Sequence, residues 1–203
     1  MYNIIGDIAG RFNELMVLIN SMPSDSKFIF VGDLVDRGPD SKKVIEWCIN
    51  NPQNIYIKGN HEDMMVRAFN GDLLSEEDHL YNGGKETLKS YGIKSVLEYP
   101  IEHIDWMDKL PLFFQDEGIF VSHAPWLWYK DLGELGVASF DVLWNRQDPV
   151  KRPGVFQIFG HNYEVKTYGN WAMCIDDTKH KQLLGMNWPS KKIYKVDYEV
   201  RSS

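Results

Sequence analysis

Apolar positions along this chain follow two rhythms. Three short β-rich runs each stop at a glycine or lysine-glycine step and then a polar residue: YNIIGD ends at Asp7, KFIFVGD at Asp33 and NIYIKGN at Asn60. The steps between these ends are 26 and 27 residues, close to the ~30 of a βαβ unit. Between them the rhythm turns helical. RFNELMVLINSM sets Phe12, Leu15, Met16 and Ile19 on one face, and PDSKKVIEWCINN does so with Val44, Ile45, Cys48 and Ile49. Strands joined by crossover helices run parallel. Their carboxyl ends therefore share one edge at a spacing of ~4.8 Å, the edge where open α/β sheets bind ligands.

Residues 61–110 read as mostly helical, in HEDMMVRAFN, KETLKSYG and IEHIDWMDKL, broken by YNGGKE. They predict a helical cap or insertion. After Pro111 the period shortens again. LFFQ and GIFVSHA flank Asp116, Glu117 and Gly118 as a hairpin, and VFQIFGH, WAMCID and KKIYKVDY predict three further strands. Residues 124–153 are the least periodic. The expectation is an α/β (α+β sandwich) fold over one domain, residues 1–203, with the cap at 61–110.

Composition narrows the function. With 203 residues, 43% hydrophobic and 25% charged, the chain suits one globular domain. A net charge of -7 argues against gripping a nucleic-acid backbone, which needs a basic face. Carboxylates gathered around metal ions would absorb part of it. Cys48 and Cys174 stand far apart, so neither a disulfide framework nor a CxxC site is readable, and a cytoplasmic location is expected. No apolar run approaches the ~20 residues of a membrane span, and no signal peptide is visible.

Two more strand ends carry chemistry. IFVSHA stops at His123 and FQIFGH at His161. Asp7, Asp33, Asn60, His123 and His161 together form a ligand set for divalent transition metals, and one carboxylate can bridge two ions. Without cations, Asp7 and Asp33 would repel each other when buried. GDLVDRGPDS adds Asp36 and Arg37, GNHED adds His61 and Glu62, and LWNRQD adds Arg146. Arginine's planar fork suits phosphate. Asp36 can orient His61 as a proton donor to a leaving group.

GDIAG, GDLVDRG and GNHE, followed by SHA, WNR and FGH, resemble the metallophosphoesterase superfamily, and within it the phosphoprotein phosphatase family in its compact bacterial and phage form. The resemblance spans roughly residues 1–178 and implies a calcineurin-like fold with a dinuclear site at the strand ends. It implies two divalent ions, Mn²⁺ foremost with Fe, Zn, Ni or Co as alternatives. One would be held by Asp7, a histidine two residues later and the bridging Asp33, the other by Asp33, Asn60, His123 and His161. His61 with Asp36 would be the general acid, and Arg37, Arg146 and Asn60 would bind phosphoryl oxygens. The implied substrate is a phosphoserine or phosphothreonine protein. The alternative is a nucleotide phosphoester, as for a symmetrical diadenosine tetraphosphate hydrolase. A second alternative is a phosphate-binding pseudoenzyme.

The chain departs from the family pattern at Ala9, which stands where the histidine ligand is expected and has no lone pair to offer. An engineered or otherwise inactivating single change fits this otherwise intact site better than a pseudoenzyme. The segment CIDDTKHKQLLGMNW also departs from the pattern, so Asp176 and His180 receive no role. His79, His103 and His180 read as surface residues, Glu62 as a loop brace and Arg67 as half of a surface ion pair. Trp126 and Trp128 read equally as core or as cleft.

Overall fold

The computed structural model describes residues 1–127 and 137–199. The first half runs β1 (Tyr2–Ile5), α1 (Phe12–Ser21), β2 (Lys27–Phe30), α2 (Ser41–Ile49), β3 (Ile55–Tyr56) and α3 (Asn60–Phe69). Then come α4 (Leu73–His79), a kinked turn over Leu80–Gly84, α5 (Lys85–Tyr91) and α6 (Ile101–Asp108). The second half is β4 (Phe113–Asp116), β5 (Ile119–Ser122), α7 (Val137–Trp144), β6 (Phe156–Phe159), β7 (Lys166–Tyr168), β8 (Ala172–Cys174), β9 (Gln182–Trp188) and β10 (Lys192–Asp197).

These strands make two five-stranded sheets, ordered β10-β9-β1-β2-β3 and β4-β5-β6-β8-β7. In the first, β1, β2 and β3 are parallel, with Ile4 opposite Ile29 and Phe30 opposite Tyr56, as the βαβ spacing predicts. In the second, β5, β6 and β8 are parallel, and β4–β5 is the predicted hairpin.

Period-2 alternation sorts each strand between two cores. Ile4, Ile29, Val31 and Ile57 of the first sheet meet Ile119, Val121, Phe156 and Ile158 of the second, which makes the chain a sandwich. Ile5 and Phe30 point the other way, onto Leu15, Leu18, Val44, Ile45 and Cys48 of α1 and α2. Met65, Val66, Ile104 and Met107 from the 61–110 region join that same helical layer. No helix among the described residues is long and apolar enough to cross a membrane.

Two strands escape the sequence pattern. β7 is a three-residue edge strand, too short to show a period. β9 runs through the segment set aside as atypical, and Gly185 interrupts its apolar run, yet it sits between β1 and β10 and is buried along most of its length.

Candidate active site

Parallel strands in both sheets end on the same side, so five turns converge there. Asp7 follows β1, Asp33 follows β2, Asn60 opens α3 after β3, His123 follows β5 and His161 follows β6. All five are buried. At the centre, His123 Nε2 lies 2.8 Å from Asn60 Oδ1, 3.2 Å from His161 Nδ1 and 3.3 Å from Asp33 Oδ1. The opposite nitrogen, His123 Nδ1, donates to the Val31 carbonyl at 3.0 Å, which leaves Nε2 as a lone pair turned toward the other three. Burial lowers the pKa of His123, and burial together with the His123 ring pushes His161 down to about 2. Both shifts favour the neutral imidazole, the form that has a lone pair to offer. Asp33 falls to about 2 because His123, His61 and Arg37 outweigh its burial.

Neutral imidazole nitrogens, an ionised carboxylate and an amide oxygen, each with a lone pair at the centre, are the donor set of a divalent transition-metal ion. Asp33, His123 and His161 form the one such group of three among the described residues. The residues thus fit one ion well. Asp7 stands beside this group, and its carboxylate accepts the His161 N–H at 3.1 Å. Gly160 makes that approach possible, because a Cβ there would lie 2.0 Å from Asp7 Oδ1. Burial, then the carboxylates of Asp176 and Asp33, raise the Asp7 pKa well above the usual range. Ala9 donates its N–H to the Asp33 carbonyl at 2.8 Å, and its methyl side chain offers no lone pair beside Asp7.

The loop after β2 is built around two acids. Glu62 accepts N–H groups of Gly59, Asp33 and Leu34 at 2.8–2.9 Å, fixing the turn that carries Asp33; this is the bracing expected of it. Asp36 accepts from His61 Nδ1 at 2.6 Å, Thr87 Oγ1 at 2.6 Å and His79 Nδ1 at 3.2 Å. Despite full burial these partners hold Asp36 below the usual carboxylate range. His61 is raised, since Asp33 and Asp36 outweigh its burial. Its Nε2 faces the site and accepts from Arg37 Nη2 at 2.9 Å.

Arg37 and Arg146 approach one aromatic ring. Their guanidiniums sit 5.4 and 4.6 Å from the centroid of Tyr163, and Arg146 also donates to the His161 carbonyl at 2.7 Å. Trp144 packs edge-on against the His161 ring. Ala9, Asp33, Asp36, Arg37, His161 and Tyr163 all have positive φ, strain of a kind that clusters at functional sites.

The calcineurin-like phosphoesterase family profile matches residues 3–178. The chain belongs to the calcineurin-like phosphoesterases. It is 41% identical over 85 residues to the asymmetrical bis(5'-nucleosyl)-tetraphosphatase PrpE of Anoxybacillus flavithermus, covering 35% of each chain. It is 33% identical over 134 residues to the symmetrical bis(5'-nucleosyl)-tetraphosphatase of Buchnera aphidicola, over 63% of this chain and 45% of that one. The chain thus matches less than half the length of these two relatives. The fold recurs in the crystal structure of a candidate diadenosine tetraphosphatase, with a TM-score of 0.70 at 18% identity over 96% of this chain and 92% of that one. It recurs equally in a serine/threonine phosphatase from Saccharomyces cerevisiae, with a TM-score of 0.68 at 14% identity over 99% and 81%.

Within this family fold, three expectations change. His79 and His103 are buried, not surface residues; His79 is drawn inward because the buried Asp36 carboxylate needs donors. Asp176 is buried and accepts the N–H groups of Tyr163 and Thr178, so the atypical segment helps shape the site. His180 lies on the surface beside Asp177, and Arg67 pairs with Asp63 and Asp72 at the surface, as expected. Trp126 stacks on Phe120, whereas Trp128 lies outside the described residues. His79, Thr87, Trp144 and Tyr163 were missed. Only the buried acid in GDLVDRG gave a signal for the first two, and the last two carry none that a single sequence shows.

Proposed function

We propose that this phosphoesterase hydrolyses nucleotide phosphoanhydrides of the bis(5'-nucleosyl) tetraphosphate class. The observation that carries this reading is the pair of tetraphosphatase relatives, and it moves the nucleotide substrate ahead of the phosphoprotein one. The site's chemistry is compatible with it, because Arg37 and Arg146 stand on one ring beside the metal ligands, where they can each take oxygens of neighbouring phosphates.

In this proposal Asp33, Asn60, His123 and His161 hold one divalent ion, Mn²⁺ being the proposed metal, and Asp7 with Asp33 holds a second more weakly. Bound there, such ions supply Lewis-acid polarisation of the phosphoryl group and an acidified water. The protein's own groups do the rest. Arg37 leaves His61 Nε2 to grip a phosphoryl oxygen. That exchange lets Nε2 carry a proton, which His61 can give to a basic departing oxygen; a nucleotide phosphate, a good leaving group, draws on it little. Asp36, held by His79 and Thr87, keeps the imidazole aimed and its Nδ1 protonated. Trp144 walls one side against water.

The test is turnover by Mn²⁺-loaded protein on diadenosine tetraphosphate, p-nitrophenyl phosphate and a phosphoserine peptide. The expected result is a kcat/KM at least tenfold higher for the tetraphosphate than for the peptide. ADP alone marks symmetrical cleavage, and ATP with AMP marks asymmetrical cleavage. Faster turnover of the peptide would return the reading to a protein phosphatase, which the string GDLVDRGPDS favours. No turnover of any phosphoester under saturating Mn²⁺ would leave a phosphate-binding protein.

A further inference from the structure

Ala9 has so far counted as a loss. It also borders a cavity of about 770 Å³ that the catalytic residues do not fill. Arg37 borders the same cavity, so the space continues from the phosphate-binding side of the metal site. Its walls carry Arg11, Lys89 and Lys181 in addition to Arg37, against two acids, Glu86 and Glu199. Three of the residues that border it also carry a buried polar atom with no hydrogen-bond partner among the described residues: Arg11 Nε, Thr178 Oγ1 and the Tyr198 hydroxyl. A buried polar atom left without a partner is destabilising. Three such residues around one cavity give it groups that a polar ligand could satisfy.

Arg11 is already aimed. Its guanidinium lies 4.3 Å from the Tyr198 ring centroid, and Nη1 is 3.7 Å from Glu14 Oε1. The buried Glu14 and the aromatic face hold the side chain in place while Nε stays free. An excess of cations, one arginine shared with the catalytic site, and unpartnered hydroxyl and N–H groups suit a chain of phosphates. A neutral or cationic ligand would leave the cations uncompensated. Ala9 borders the cavity two residues after Asp7, so a larger side chain at this position would take up part of that space.

We propose that this cavity receives the distal phosphates of the substrate, entering past Ala9 and held by Arg11, with Tyr198 and Thr178 completing the contacts. Residue 9 then sets substrate length: alanine gives up a metal ligand and opens a route for an oligophosphate. This inference rests on the nucleotide reading given above.

The experiment compares inorganic tripolyphosphate with orthophosphate by titration calorimetry on the Mn²⁺-loaded protein, and pairs it with kinetics on diadenosine tetraphosphate and p-nitrophenyl phosphate. Tripolyphosphate is expected to bind at least tenfold more tightly than orthophosphate. Arg11→Gln should shrink that affinity ratio about tenfold, and should lower kcat/KM for the tetraphosphate about tenfold more than for p-nitrophenyl phosphate. Tyr198→Phe, which keeps the ring under Arg11, should shrink the ratio in the same direction by a smaller factor. An affinity ratio unmoved by both variants overturns the proposal, even if the tetraphosphate is a good substrate. A ratio that responds to Arg11 in a protein that fails to cleave the tetraphosphate upholds the cavity and removes the nucleotide reading instead.

Discussion

Asp36 is fully buried, and its three donors show what a buried carboxylate demands of its neighbours. Its pKa lies below the usual range, so the ionised form stabilises the fold. That contribution is present above the unfolded value of about 3.9 and fades as pH falls further, toward the lowered folded value. Asp36→Asn is expected to destabilise the protein at pH 7 by roughly 1–3 kcal/mol. Urea melts of both proteins should show the gap closing below pH ~4. The opposite sign holds at His61, whose pKa is raised. Its proton is available below that value and lost above it, so turnover that needs an acid declines on the alkaline side. Asp36→Asn removes one of the groups that raise His61 and should move this decline to lower pH in a pH–rate profile.

His61→Asn separates leaving groups. A serine alkoxide needs the proton, whereas an aryl oxide or a nucleotide phosphate leaves without much help. The expected loss is ~10²–10⁴-fold on a phosphoserine peptide and less than tenfold on p-nitrophenyl phosphate or diadenosine tetraphosphate. Equal losses on all three would remove His61 from this role. Ala9→His tests the departure itself. A restored imidazole beside Asp7 should raise kcat on p-nitrophenyl phosphate at least tenfold, about 1.4 kcal/mol of barrier, and raise bound Mn²⁺ toward two per chain in metal analysis. Two bound ions with no gain on any phosphoester would detach position 9 from the catalytic ions.

At the scale of elements, the sequence showed what repeats and hid what depends on partners. Asp7, Asp33 and Asn60 were legible as strand ends because apolar runs and glycine recur at one spacing, and His123 and His161 because they end runs of the same kind. β9 was hidden because its place inside the sheet depends on β1, at the other end of the sequence, as well as on the neighbouring β10. His79 was hidden because only the folded chain brings α4 against the loop after β2. The turn after α4 shows the same dependence: Gly83 has φ +114°, and a Cβ there would lie 2.6 Å from the Arg37 nitrogen. Glu62 ties α3 to the β2 loop through the N–H groups of Gly59, Asp33 and Leu34. Glu62→Ala would leave three buried donors unpaired at about 1–3 kcal/mol each. A loss of at least ~3 kcal/mol in denaturant unfolding is expected, and a change below ~1 kcal/mol would mean that water takes over the bracing.

For the whole molecule, the proposed ligands divide between the sheets. Asp33 and Asn60 follow strands of one, and His123 and His161 follow strands of the other. An ion there links the two sheets at their carboxyl edge. Mn²⁺ at a hundred times its Kd should stabilise the protein by about 2.7 kcal/mol, read as a Tm increase that EDTA reverses. His123→Ala should abolish most of that increase.

The same division has a consequence for synthesis. Asp33 and Asn60 leave the ribosome early, His123 later and His161 later still, after the first three strands of the second sheet. A nascent chain therefore carries its own two-sheet checkpoint. It has no complete seat for the proposed ion until strands of both sheets have emerged and met, so capture by a chain that has made only the first would be weak, and firm retention of metal would report that the two sheets have joined.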